Sequence, residues 1–78
     1  MTNKQTNKFL TYLEALKKLT PREIDVLELV EKGLTNQEIA MQLHLSYETV
    51  KTHRKNICKK LSVKGRNGLI KWIWRAKK

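Results

Sequence analysis

The sequence predicts an all-α fold, a bundle of four helices with a helix-turn-helix crossing between the second and the third. Two observations carry this. One helix-start pattern, an apolar residue followed by a Thr or Ser cap, is written three times between Leu19 and Val50. The apolar residues after each start recur at spacings of three and four, and no segment alternates apolar and polar residues as a half-buried strand does.

Ahead of the bundle, residues 1–18 form an N-terminal extension. Its residues 7–18 place Phe9, Leu10, Leu13 and Leu16 at the spacing of an extra helix. The first bundle helix, about 21–32, opens with Leu19-Thr20-Pro21-Arg22-Glu23-Ile24. Thr20 is the N-cap, Pro21 takes the first helical position, Glu23 closes a capping box, and Leu19 and Ile24 form a hydrophobic staple. Leu34-Thr35-Asn36-Gln37-Glu38-Ile39 repeats the arrangement and starts a helix over about 36–43. Gly33 suits the left-handed residue that ends the helix before it.

The third helix, about 47–61, starts at Leu45-Ser46-Tyr47-Glu48-Thr49-Val50. Ser46 caps it, Glu48 lies near the positive end of the dipole, and Thr49 stands where the boxing Glu would be. A fourth helix, about 66–76, follows the turn Ser62-Val63-Lys64-Gly65. Ile24, Leu27 and Val30 give the first helix its buried stripe. Ile39, Ala40 and Leu43 serve the second, and Val50, Ile57 and Leu61 the third. The connection His44-Leu45-Ser46 is short enough to force a sharp crossing of the helix-turn-helix kind.

A chain of 78 residues leaves room for one small domain, which buries only about 60% of the surface its unfolded form exposes. A large enclosed active site does not fit. No carboxylate pair, nucleophile with base, Gly-rich phosphate loop or metal cluster is present, so an enzyme is not expected, nor a cofactor or small-molecule ligand. The single cysteine, Cys58, has no partner for an internal disulfide and suits a reducing cytoplasm. It reads as a small packed residue, and His53 as a packed histidine rather than a ligand. No apolar run serves as a signal peptide or a membrane span.

The charge is unevenly placed. Residues 1–48 hold six bases and seven acids, whereas residues 49–78 hold eleven bases and no acid. That half is a polyanion-binding surface, and DNA, RNA and an anionic membrane are its candidate partners. On a helical wheel, Val50, Ile57 and Leu61 share the core side of the third helix, opposite Glu48, Lys51, Thr52, Lys55 and Lys59. A Lys-rich outward face is most often simply solvated. This one follows a tight turn, sits on the third helix of a stapled unit, and has no acid after Glu48. It therefore has the shape and charge to enter the DNA major groove. Lys51, Thr52 and Lys55 lie in the half that reaches base edges. Lys59 and Lys60, further along, are expected at phosphates, as is the capping Thr35.

The fourth helix carries two apolar stripes. Leu69, Trp72, Ile73 and Ala76 form one, Ile70 and Trp74 the other. One stripe covers the core, and the other leaves a large aromatic for a partner. A homodimer contact is expected at Ile70, Trp72 and Trp74, placing two recognition helices about one DNA turn apart on an inverted repeat.

The blocks LTPRE, GLTNQEIA, LSYETVKTH and KKLSVKGR, in this order and spacing, resemble the DNA-binding domain of the LuxR/NarL/GerE family of bacterial transcription regulators. The resemblance runs from residue 19 to about 76, making residues 19–78 the domain. It implies a tetrahelical helix-turn-helix fold whose third helix enters the major groove and whose fourth commonly forms a homodimer. Base-reading and phosphate positions carry over to Lys51, Thr52 and Lys55, with Thr49, expected at a phosphate, and His53 supporting. The implied partners are double-stranded DNA, a second copy and RNA polymerase, in a cytoplasmic, nucleoid-associated setting.

Two departures stand out. Most members attach this domain to a larger sensor, which this sequence does not contain, so it resembles either the stand-alone members or a fragment whose regulator is elsewhere, and its start at Met1 favours the first reading. Gly68, near the start of the fourth helix, replaces a strong helix former, at about 1 kcal/mol relative to Ala. Sigma-factor promoter readers open in a similar LTPRE style but lack the VKGR turn and fourth helix. The basic, Trp-bearing C-terminus also suits a nonspecific nucleic-acid or membrane-surface protein, though its apolar contact is short for a membrane.

Overall fold

A computed structural model describes residues 12–64 and 67–77. Residues 12–17 are helical and are designated α1. They are followed by α2 (Pro21–Glu31), α3 (Asn36–Leu43), α4 (Tyr47–Leu61) and α5 (Gly68–Lys77). No strand occurs among the described residues. Phe9 and Leu10, from the amphipathic stretch expected in front, lie outside them.

The caps explain where the helices begin. Thr20 Oγ1 accepts the Glu23 backbone N–H at 3.1 Å while Glu23 Oε1 accepts the Thr20 N–H at 3.0 Å. Thr35 and Glu38 repeat the exchange at 3.2 and 2.8 Å. At α4, Ser46 Oγ accepts the Thr49 N–H at 3.0 Å and donates its own proton to Thr49 Oγ1 at 2.8 Å. Thr49 thus occupies the place of a boxing Glu but binds the cap's hydroxyl rather than its backbone. Each such cap stabilises its helix by about 1 kcal/mol.

The helix ends share one device. The N–H of Leu34, Leu45 and Val63 donates to the carbonyl five residues back, on Leu29, Ala40 and Cys58, at 3.1, 2.9 and 3.0 Å. This closure requires a left-handed residue just before the donor, and Gly33, His44 and Ser62 supply it with φ of 90°, 58° and 57°. Gly33 was legible as such a residue. His44 and Ser62 adopt the conformation despite their Cβ atoms. The fourth bundle helix starts at Gly68 rather than at about 66. Residues 65 and 66 lie outside the described residues, and the Asn67 carbonyl accepts the first α5 bond, from Lys71 N–H at 3.0 Å.

The core gathers Leu19, Val26, Leu27, Leu29, Val30, Ile39, Ala40, Val50, Ile57, Leu69 and Ile73. α2 packs against α3, α4 and α5, so it buries two sides rather than one stripe. Val26 and Leu29 are buried with Leu27 and Val30, while Ile24 is half-buried. α1 adds Ala15, which is buried, and Leu16, which packs on the core. Tyr12 stacks on Trp72 of α5 with ring centroids 5.8 Å apart and 28° between planes.

Candidate nucleic-acid interface

α4 is seated by Val50 and Ile57, both fully buried, against α2 and α3. Burying that side turns the other outward, and Glu48, Lys51, Thr52, Lys55 and Lys59 are all exposed. The turn through His44 is closed by the Leu45 N–H to Ala40 carbonyl bond, and α3 packs against α4. The expected base-reading residues Lys51, Thr52 and Lys55 therefore lie together on one solvent-facing surface of a rigid helix.

Electrostatics distinguishes these side chains. Lys51 Nζ lies 5.5 Å above the centroid of the Tyr47 ring and 3.9 Å from Glu48 Oε1. Such exposed contacts are worth under about 1 kcal/mol each, weak enough to be exchanged for a nucleic-acid acceptor. Lys55 and Lys59 have no ion-pair partner among the described residues. Tyr47, half-exposed at the first position of α4, had not been singled out as a site residue. Its spacing of four from Lys51 was the available signal.

The four expected phosphate contacts differ among themselves. Lys59 is exposed and free to reach. Thr35 is exposed, with its hydroxyl accepting the Glu38 N–H. Thr49 is half-buried, its hydroxyl held by Ser46. Lys60 is turned the other way, with Nζ 2.7 Å from Oε1 of Glu23, whose side chain is only 5% exposed. Burial pushes the Glu23 carboxyl up. The hydrogen bonds from Lys60 and Thr20 and the charges of Lys60 and His53 outweigh it, leaving the group below its ordinary value. Lys60 thus serves as the counter-ion of a buried carboxylate, a role a one-dimensional reading assigns to solvent or phosphate.

The three residues expected at a dimer contact separate as well. Ile70 is 38% and Trp74 67% exposed. Trp72 belongs to the stripe that covers the core, half-buried and stacked on Tyr12. His53 is half-buried. Cys58 packs on the core, and burial pushes its thiol up against the pull of Arg54. Among the described residues, no group of three or more His, Cys, Asp or Glu could hold a metal ion. No helix among them is long and apolar enough to cross a membrane.

Residues 17–73 match the family described as bacterial regulatory proteins, luxR family. The chain belongs to that family. Membership makes residues 17–73 a helix-turn-helix DNA-binding domain of a regulatory type. Similar curated proteins include the response regulator protein VraR of Staphylococcus aureus (strain NCTC 8325 / PS 47), of Staphylococcus saprophyticus and of Staphylococcus epidermidis. Each is 44% identical over 67 residues, which cover 86% of this chain and 32% of the relative. The chain thus spans about a third of the length of these relatives.

Proposed function

We propose that this luxR-family chain is a sequence-specific transcription regulator that inserts α4 into the major groove of promoter DNA. The observation that carries it is the exposed face of α4, where Lys51, Thr52 and Lys55 stand together with the core side fixed by Val50 and Ile57. Lys51 and Lys55 donate to guanine O6 and N7, and the Thr52 methyl meets a thymine methyl. Lys59 and the N-termini capped by Thr35 and by Ser46 with Thr49 approach the phosphates and set the register.

The molecule acts as a homodimer on an inverted repeat. Support comes from Ile70 and Trp74, an apolar stripe of α5 that its own core leaves exposed. Trp72 supports that contact from beneath, through its packing on the core and on Tyr12. The response-regulator relatives supply a precedent for a regulatory role, and RNA polymerase is the partner through which a promoter-bound regulator acts.

Selection of bound DNA from a randomised duplex pool at about 0.15 M salt tests this reading, because specificity is defined only at stated salt. Enrichment of an inverted repeat with half-sites about one helical turn apart is expected. Tight, salt-sensitive binding without enrichment would leave α4 as a nonspecific phosphate-neutralising surface and overturn it.

A further inference from the structure

The outward face of α4 accounts for only part of the positive charge. Residues 49–78 contain eleven bases. Lys51, Lys55 and Lys59 stand on that face, and Lys60 is paired with Glu23. A second group of cations gathers at the other end of α4. Lys64, in the turn that leaves the helix, and Lys71 and Arg75, on α5, line one groove with Ser62 and Trp72. All three cations are exposed. No carboxylate lines the groove, and none of the three has an ion-pair partner among the described residues.

We propose that this groove is a second phosphate-binding surface, which holds the DNA backbone beyond the bases that α4 reads. The inference rests on the proposed role of α4. With 15 residues, α4 is about 22 Å long, whereas the major groove is about 12 Å wide. With its N-terminal half in the groove, its C-terminal end at Ser62 has passed the edge and lies against the bounding strand. Lys55 and Lys59 lead toward that end, and Lys64, Lys71 and Arg75 continue the track.

Spacing and charge fit this occupant. Lys71 and Arg75 are one turn apart on α5, about 6 Å along its axis. Each DNA strand carries a phosphate every 3.4 Å or so of duplex axis, so about 6 Å is nearly two phosphate steps and the pair reaches two phosphates of one strand at once. Three like charges held in one groove without an acid repel one another, and a polyanion relieves that repulsion. On α5 the Lys71/Arg75 stripe stands about 100° from the Ile70/Trp74 stripe. DNA on one and a second copy on the other do not compete for the same surface.

The test compares the unsubstituted chain with a Lys64→Gln, Lys71→Gln, Arg75→Gln variant, first checked for an unchanged circular dichroism melt. A variant with Arg75→Gln alone serves if the triple variant melts early. Affinity is measured against salt on a duplex trimmed to the selected site and on one extended at both ends. The unsubstituted chain is expected to bind the extended duplex more tightly, with a log–log salt slope steeper by about 2 to 3 for each bound copy. The triple variant loses that gain while its ranking of base substitutions stays the same. A slope and length dependence unchanged in the triple variant would overturn the proposal. So would loss of binding to anionic vesicles or polyglutamate alone, since the groove would then belong to another polyanion. If the unsubstituted chain showed no base preference, the reading of α4 would fall. A length-dependent slope lost in the variant would still assign the groove to phosphates.

Discussion

Lys60 on α4 and Glu23 on α2 meet at 2.7 Å across 37 residues of sequence. The same carboxylate oxygen accepts the Thr20 N–H at 3.0 Å. One oxygen therefore caps α2 and anchors α4, so the helix proposed to read DNA is tied to the N-terminus of the central core helix. The arrangement leaves no buried side-chain polar atom without a partner among the described residues.

Replacing Glu23 by Gln removes the charge that holds Lys60 and weakens the cap. A loss of about 1.5–3 kcal/mol is expected, read as a fall in Tm of roughly 10 °C. The folded carboxyl lies below its ordinary value, so this contribution is complete above the unfolded pKa of about 4.3. It is lost as pH falls through the lowered folded value. Urea melts at neutral and acid pH should therefore converge for the two proteins as pH drops.

Ser46 is the cap of the helix proposed to read DNA. Ser46→Ala removes the acceptor of the Thr49 N–H and should destabilise by about 1 kcal/mol, whereas Ser46→Asp should restore most of it. Thr49→Ala leaves the backbone bond to Ser46 intact and should cost less. Thermal melts of the three variants check the order.

Two positions on either side of the last turn invite exchange of residue types. Ser62 holds φ of 57°, where glycine carries no Cβ penalty. A Cβ added at Gly68 would meet Val63 Cβ at 3.6 Å, an ordinary contact. Ser62→Gly and Gly68→Ala should each raise stability by up to about 1 kcal/mol, and the pair should add. A double variant melting below the parent would contradict this.

Trp72 and Trp74 should behave oppositely. Trp72→Ala removes packing on the core and on Tyr12 and should cost about 2–3 kcal/mol. Trp74→Ala should change the melt by no more than about 0.5 kcal/mol yet abolish cooperative binding to a two-half-site duplex. Equal melts for both, or cooperativity kept without Trp74, would argue against the division of α5 into a core stripe and a partner stripe.

Local features were the legible ones. Thr20, Thr35 and Ser46 announce their helices because a cap and its box lie within four residues, and the wheel placed Lys51, Thr52 and Lys55 outside because Val50 and Ile57 are inside. Features made by tertiary contact were not. Lys60 reads as a phosphate contact until Glu23 is brought beside it, since no local rule links residues 37 apart. Trp72 and Trp74 sit on adjacent stripes with equal claims until Tyr12 and the core cover one of them. α2 reads as one-sided because its sequence does not reveal that three helices pack around it. His44 and Ser62 take a left-handed conformation that glycine signals and they do not.

Base reading by the exposed N-terminal half of α4 is the property on which the proposed function rests. It is tested most directly by measuring the affinity of the parent and of Lys55→Ala for the selected site and every single-base variant of it, across a salt series. A loss of about 1–3 kcal/mol with preference relaxed at one or two adjacent positions is predicted. Equal weakening on every sequence, with the salt slope lower by about 1, would assign Lys55 to phosphate and overturn base reading by α4.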